Sequence, residues 1–362
     1  MNPIVVVAGT RPEIIKMGPV IRALNGAQLP FLFVNCGQHY DYNMSQQFIE
    51  ELELRPPDYS IKIENSSPGR QTAEIMMKMD NLIGEIEPSV LLVEGDTNTV
   101  LSAALAANKR FVPIGHVEAG LRSFDLRMPE EHNRRLTDHI SEYLFAPTER
   151  AKENLKNENV WGRIFVTGNT AIDAVTQHLP IAERKSKIME KVPFNNFILA
   201  TAHRAENVDD TGVLESFLEV FTESTIPIIY PMHPRTKKML KENNLFDKIT
   251  ALENVLILPP LGYLDFLLLM KNCCLILTDS GGIQEEATAP QIRKKTLVIR
   301  LSTERQEAVD AGFAKIVGTD KKVILRELKK ISSKQEVLPS SSPFGDGTAA
   351  HKIVEILKKS VA

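Results

Sequence analysis

The feature that most constrains this chain is a recurrence. A short, uninterrupted, β-branched apolar run ends in a small polar or glycine-bearing turn, and a longer stretch with helical spacing follows. The first instance is Pro3–Gly9 (PIVVVAG), then Thr10-Arg11, then Glu13–Leu24 with Ile14, Ile15, Met17, Val20, Ile21 and Leu24 near every third or fourth position. A run that is apolar throughout suits a strand buried on both faces, and such strands belong to parallel sheets covered by crossover helices. Pro12 fits the first helical turn, where its missing N–H costs nothing. The scheme predicts further strands at Pro30–Val34, Ser89–Val93, Phe111–Val117, Tyr143–Ala146 and Arg163–Val166. Helices are expected within Tyr42–Leu54, Gln71–Ile86, Asn98–Asn108, Pro129–Ile140 and Glu149–Glu153. That order is an α/β fold of parallel strands.

At 362 residues the chain has room for about two domains of roughly 150 residues each. The charged, proline-bearing stretch 179–196 (LPIAERKSKIMEKVPFNN) is expected to link a first domain, 1–178, to a second, 197–347. The second block repeats the scheme, with strands at Phe197–Thr201, Pro227–Tyr230, Val255–Leu258, Leu275–Thr278, Thr296–Ile299 and Ala314–Val317. A turn cluster, Ser340–Gly347, precedes a final helix in 348–362 that is expected to join the first domain. Lys plus Arg number 43 against 46 Asp plus Glu, a formal net charge of -3. This excludes a uniformly basic surface for nucleic acid or an anionic membrane. Three cysteines, Cys36, Cys273 and Cys274, are too few for a disulfide scaffold, and a reducing, cytoplasmic setting fits. Neither a secretory leader nor a membrane span is expected.

The chemically suggestive residues fall at the ends of expected strands: Gly9-Thr10-Arg11, Glu94-Gly95-Asp96-Thr97, Glu118-Ala119-Gly120, Thr201-Ala202-His203-Arg204 and Asp279-Ser280-Gly281-Gly282. Parallel sheets bind ligands at their carboxyl strand ends, so an active-site cleft between the two domains is expected. After the first strand, helix N–H groups, the Arg11 fork and the Lys16 ammonium can receive an anion. In the second block Ser280 can cap a helix whose first N–H groups Gly281 and Gly282 leave uncrowded, a second anion site. Glu286, a turn further on, can accept hydrogen bonds from ribose hydroxyls. Asp96, Glu118 and Glu131 are candidate acids and bases, since carboxylates gathered in one cleft repel and are pushed to different protonation states. His203 and His233 follow strands and can serve a leaving phosphate. The histidines and cysteines show no metal-ligand spacing, and no metal is expected.

These segments, with Gly115-His116-Val117-Glu118-Ala119-Gly120-Leu121-Arg122, Met128-Pro129-Glu130-Glu131-His132-Asn133-Arg134, Thr167-Gly168-Asn169-Thr170, Thr303-Glu304-Arg305 and Pro343-Phe344-Gly345-Asp346-Gly347, run in order through nearly the whole chain. In them the chain resembles the non-hydrolysing UDP-N-acetylglucosamine 2-epimerases. The resemblance implies two Rossmann-like domains in a glycosyltransferase-B arrangement, with UDP held chiefly by the second. It implies reversible conversion of UDP-N-acetylglucosamine to UDP-N-acetylmannosamine, by elimination of UDP to 2-acetamidoglucal and re-addition, without a cofactor and commonly in a homodimer. By the same similarity Asp96, Glu118, Glu131 and His203 are the catalytic candidates, their division of labour open. Arg135 and His233 are expected to position substrate, Arg305 to contact the uracil-ribose region and Glu286 the ribose. Gln38, His39, Arg70 and Gln71 fall where relatives have a regulatory pocket, and Tyr40 and Ala205 stand where arginine is common.

A glycosyltransferase, a hydrolysing epimerase and a non-catalytic nucleotide-sugar sensor are the competing readings, and incubation with the UDP sugar alone separates them. Glu286→Ala is expected to weaken UDP binding through loss of charge-assisted hydrogen bonds of about 1.5–3 kcal/mol each. Calorimetry that finds unchanged affinity in the folded variant refutes the ribose assignment.

Overall fold

The computed structural model describes residues 2–38, 48–64, 67–333 and 337–361. Among them lie two parallel sheets. The first contains β1 (Ile4–Ala8), β2 (Phe31–Gln38), β3 (Tyr59–Ile63), β4 (Val90–Glu94), β5 (Ile114–Val117), β6 (Tyr143–Ala146) and β7 (Arg163–Val166), in the order β3-β2-β1-β4-β5-β6-β7. The second contains β8 (Ile198–Thr201), β9 (Ile228–Pro231), β10 (Val255–Leu258), β11 (Leu275–Thr278), β12 (Thr296–Val298) and β13 (Ala314–Ile316), in the order β10-β9-β8-β11-β12-β13. The chain divides into two compact units, Met1–Gln177 with Phe344–Ala362, and His178–Pro343.

Strand burial follows composition. β1, β4, β5, β6, β8 and β11 are buried along their whole length, as their unbroken apolar runs require. β3 was not expected: its sequence, YSIKI, alternates and is mostly exposed because it closes the edge of the sheet. On β4, Leu91 and Val93 join the core beneath helices Pro68–Ile86 and Asn98–Lys109. The period of two sends Val90, Leu92 and Glu94 to the opposite face. The expected helix 42–54 lies partly outside the described residues. The stretch 179–196 holds the end of helix Thr170–Lys185, which runs through Pro180, and a 3-10 turn at Ile188–Lys191.

Each sheet reverses its winding once, between β1 and β4 and again between β8 and β11. At such a switch point the two flanking loops leave in opposite directions, and a crevice opens at the carboxyl strand ends.

The C-terminal helix Ala349–Val361 packs on helix Arg11–Gly26. Its entry is held by Asp173, which accepts the N–H groups of Ala349 (3.2 Å) and Ala350 (2.9 Å), while the Phe344 carbonyl accepts from Asn169 N–H (2.7 Å). A carboxylate suits the positive end of a helix, yet burial dominates and pushes the Asp173 pKa from 3.8 up to about 6. Between those values the native state holds a proton that the unfolded chain has released, so this group's contribution to stability falls as pH rises from 3.8 to about 6. Asp173→Asn lacks the titration. Denaturant melts should show the variant gaining on wild type across that window, by up to about 3 kcal/mol; a constant difference refutes the assignment.

Candidate active site

At the first switch point, the turn after β1 is closed from within. Glu13, buried in the first turn of helix Arg11–Gly26, accepts the N–H groups of Gly9 (2.5 Å) and Thr10 (3.3 Å), and its other oxygen accepts the Thr97 hydroxyl (2.6 Å) from the loop after β4. The Gly9 and Thr10 donors of the turn ahead of the helix are therefore taken by the chain's own carboxylate. Burial raises the Glu13 pKa despite these bonds. Gly9 is required by packing, since a Cβ there would lie 2.6 Å from the Cys36 carbonyl. Arg11 is exposed beside the Phe48 ring.

One turn on, Lys16 reaches two carboxylates. Its ammonium is ion-paired with Glu118 and lies 3.2 Å from Glu94 Oε1. Glu118 follows β5 with a left-handed φ of 70°, a strained setting for a residue with a side chain, and also accepts from Asn169 Nδ2 (3.2 Å). Burial, reinforced by Glu118 and Glu13 and opposed by Lys16, holds the Glu94 pKa well above the usual carboxylate range.

Asp96 sits beside this group with a partly exposed carboxylate paired to Arg134. Arg134 also donates to Glu131 (2.9 Å), three residues earlier on the same face of helix Pro129–Ile140. Glu131 is fully buried and accepts the Ser123 N–H (2.9 Å), the Ser123 hydroxyl (2.9 Å) and the Phe124 N–H (3.3 Å). It holds the 123–124 loop and Arg134, whereas the preceding Glu130 is exposed. Arg135, expected to position substrate, is turned away by the helical advance of about 100° per residue. It donates to Glu158 through Nε (3.0 Å) and Nη2 (2.7 Å), and Arg122 shares that carboxylate. Burial opposes ionisation of Glu158, but the two arginines prevail and its pKa falls to about 2. Behind this group, buried His116 faces Asp138 (2.7 Å) and the Gly95 carbonyl (2.8 Å), which fixes the loop carrying Asp96.

The second unit builds a different constellation at its own switch point. Asp279, buried after β11, accepts the N–H groups of His203 and Arg204 (both 2.8 Å) and Asn207 Nδ2 (3.0 Å) through one oxygen, and its other oxygen faces His203 Nδ1 at 2.9 Å. Burial alone would raise the Asp279 pKa, but His203 and the backbone donors bring it below the ordinary value. The His203 and His233 rings lie 5.7 Å apart, and burial together with His203 and Arg235 lowers the His233 pKa. Thr201, His203, His233, Pro260, Leu261 and Ile283 line an open pocket of about 190 Å³. Beside it, Ser280 precedes helix Gly281–Glu286, and Gly281 lies under the Arg305 guanidinium, where a Cβ would come within 3.2 Å. Arg305 is fixed by Glu285 (2.8 Å), and Gly282 faces open space. Glu286 faces the buried Tyr263 hydroxyl, and burial and that charge push the phenol pKa well up.

Among the residues expected to be regulatory, Gln38 ends β2, Arg70 is exposed, and Gln71 accepts from Asn98 Nδ2 (2.9 Å). His39, like Tyr40, lies outside the described residues. Among the described residues, no group of three or more His, Cys, Asp or Glu side chains could hold a metal ion, and no helix is long and apolar enough to cross a membrane. Sequence reasoning did not single out Glu94, Arg134, Asn169 or Asp279 individually, although each stands in a segment it marked. An acid ending the apolar run VLLVE was the legible signal for Glu94.

Two parallel, helix-covered sheets, each with polar side chains gathered at its switch point, define a two-sheet Rossmann-like α/β protein. Residues 22–358 match the family model described as UDP-N-acetylglucosamine 2-epimerase. The UDP-N-acetylglucosamine 2-epimerase of Methanocaldococcus jannaschii is 44% identical over 361 residues, covering 97% of this chain and 98% of that protein. A crystal structure of the M. jannaschii enzyme in complex with UDP-GlcNAc and UDP matches with a TM-score of 0.89, at 44% identity and 99% coverage of both chains. The Neisseria meningitidis enzyme bound to UDP-GlcNAc matches with a TM-score of 0.88 at 36% identity, over 99% of this chain and 100% of that one. The chain belongs to the UDP-N-acetylglucosamine 2-epimerase family.

The geometry separates the adjacent arginines. Arg134→Ala should lower turnover of the family substrate by about tenfold or more, the cost of unpairing a buried charge-assisted contact, and Arg135→Ala by less than about threefold. Steady-state kinetics with the UDP sugar checks this, and equal losses refute it.

Proposed function

We propose that the protein interconverts UDP-N-acetylglucosamine and UDP-N-acetylmannosamine by inverting C2, through elimination of UDP to 2-acetamidoglucal and re-addition on the other face. The observation that carries this reading is the set of acids at the ends of β4 and β5: Asp96, partly exposed beside Arg134, and Glu118, tied to Lys16 and Asn169. Inversion by elimination needs one group to remove the C2 proton and another to return one from the opposite side. Two carboxylates held by different cations, in different degrees of exposure, suit that task.

In this scheme Asp96 and Glu118 are the groups available for proton transfer. Glu131, its oxygens occupied by four donors, acts as a positioning residue for Arg134. The second unit takes the leaving group: His203, oriented by Asp279, and the Ser280-Gly281-Gly282 turn stabilise the diphosphate, while Arg305 and Glu286 hold the nucleoside. Developing charge on the departing UDP is then met by donors already fixed in place. Arg11 is an exposed cation on the first unit. The same reading carries a cytoplasmic homodimer, which sedimentation measurements test.

In deuterated water the product should acquire deuterium at C2, and reversible turnover should label the starting UDP sugar. Oxygen-18 in the C1–O–P bridge should scramble into nonbridging positions of the β-phosphoryl group. Replacing Asp96 or Glu118 should depress both signals by about 10²–10⁴-fold. Epimerisation that retains the original C2 hydrogen and the bridge oxygen refutes the elimination route.

A further inference from the structure

The two turns that carry Asp96 and Glu118 each contain a glycine in the left-handed region. Gly95, at φ 87°, immediately precedes Asp96, and Gly120, at φ 85°, follows Glu118 by one intervening residue. Glycine reaches that region at no steric cost, so these turns form readily but are not fixed by their own backbone preference. Each glycine offers one polar group to the same buried pair. His116 Nε2 lies 2.8 Å from the Gly95 carbonyl, and the Gly120 N–H donates to Asp138 Oδ2 at 3.2 Å. Between them, His116 Nδ1 faces Asp138 Oδ1 at 2.7 Å, with both side chains fully buried. His116 shares its face of β5 with the core residue Ile114. Asp138 stands on the face of helix Pro129–Ile140 that also carries Arg134, one turn earlier.

What these atoms can donate fixes the protons. A carbonyl oxygen only accepts, so the Gly95 contact requires a proton on Nε2. Asp138 Oδ2 accepts from Gly120 and from the Arg122 guanidinium at 2.8 Å, donors that favour the carboxylate, so the Oδ1 contact requires a proton on Nδ1. A ring with one bare nitrogen would set lone pairs against each other at 2.7 or 2.8 Å in a buried site.

We infer that His116 is a positioning residue that donates from both ring nitrogens, a strut that joins the Asp96 turn, through Asp138, to the Glu118 turn. The buried cation is tenable because the Asp138 carboxylate lies directly against it. Helix Pro129–Ile140 thereby holds the Asp96 turn twice, by Arg134 at the Asp96 side chain and by Asp138 and His116 at the backbone. A displacement of one turn is carried to the other, which keeps the spacing of the two acids constant. The catalytic consequence rests on the proposed assignment of Asp96 and Glu118 to proton transfer, whereas the protons on the ring do not.

Two measurements test this, and the first needs no substrate. In nitrogen-15 NMR of the whole protein at neutral pH, the His116 ring should show two protonated nitrogens. Asp138→Asn, whose amide can donate to Nδ1, should turn Nδ1 into the bare form while Nε2 keeps its proton, and the signals that move identify the ring. A wild-type ring with one bare nitrogen, or no histidine signal that responds to Asp138→Asn, overturns the inference whether or not the protein is an epimerase. The second measurement is kinetic. Asp138→Ala leaves Nδ1 and the Gly120 N–H without their acceptor. It should lower kcat with the UDP sugar about tenfold or more, with KM within about threefold, because a displaced acid impairs proton transfer rather than binding. Asp138→Asn keeps an acceptor for Gly120 and a partner for the ring, and should recover kcat to within about threefold of wild type. Equal losses in the two variants, or a rise in KM as large as the fall in kcat, overturn the positioning role. His116→Leu, which fills the space and donates nothing, repeats the test if Asp138→Ala fails to accumulate.

Discussion

Both switch points depend on a buried acid that accepts the backbone of the turn beside it. In the first unit Glu13 takes the N–H groups of Gly9 and Thr10 and the hydroxyl of Thr97, tying the exit of β1 to the exit of β4. In the second, Asp279 takes the N–H groups of His203 and Arg204, tying β11 to β8. A reversed winding leaves the flanking loops diverging, with backbone donors that a parallel sheet cannot satisfy. A carboxylate at that spot satisfies several at once and fixes the crevice shape. Two candidate site residues, Lys16 in one unit and His203 in the other, stand within a turn of these anchors.

Given such anchors, the remaining acids are sorted by what surrounds them. Glu131 is fully buried and accepts three hydrogen bonds at Oε2 and one, from Phe124 N–H at 3.3 Å, at Oε1. Glu158, held by two arginines, stays anionic. Asp96 pairs with Arg134 and has access to solvent, and Glu118 accepts from Lys16 and Asn169 in a strained backbone setting.

Much of the fold was legible because both-face burial demands unbroken apolar runs. Strands such as Tyr143–Ala146 and Leu275–Thr278 are found at the expected residues, and the helix Pro129–Ile140 likewise. β3 escaped because an edge strand needs no such run. The site was legible to the level of segments, since strand ends can be located from pattern. Individual residues within a segment were not. Arg134 and Arg135 are chemically alike, and only the rotation of the helix toward Asp96 distinguishes them. Glu94 read as the end of a strand, and its pairing with Lys16, 78 positions earlier in the chain, follows from the β1–β4 adjacency that no local pattern reveals.

The sequence after β8, His203-Arg204-Ala205-Glu206-Asn207, shows how such a site tolerates change. Ala205 stands where an arginine was expected from the resemblance, and it opens the short helix Ala205–Val208. The neighbouring contacts hold the loop without it. Glu206 pairs with Arg300 at 3.0 Å, Arg300 pairs with Glu304 at 2.9 Å, and Asn207 donates to both Asp279 and the Ile299 carbonyl. The Glu304 carboxylate, buried but flanked by Arg305 and Arg300, is brought down to a pKa of about 2 and remains a fixed anion. His203 is positioned by its backbone N–H and its Nδ1, both against Asp279, and neither contact passes through the side chain at position 205.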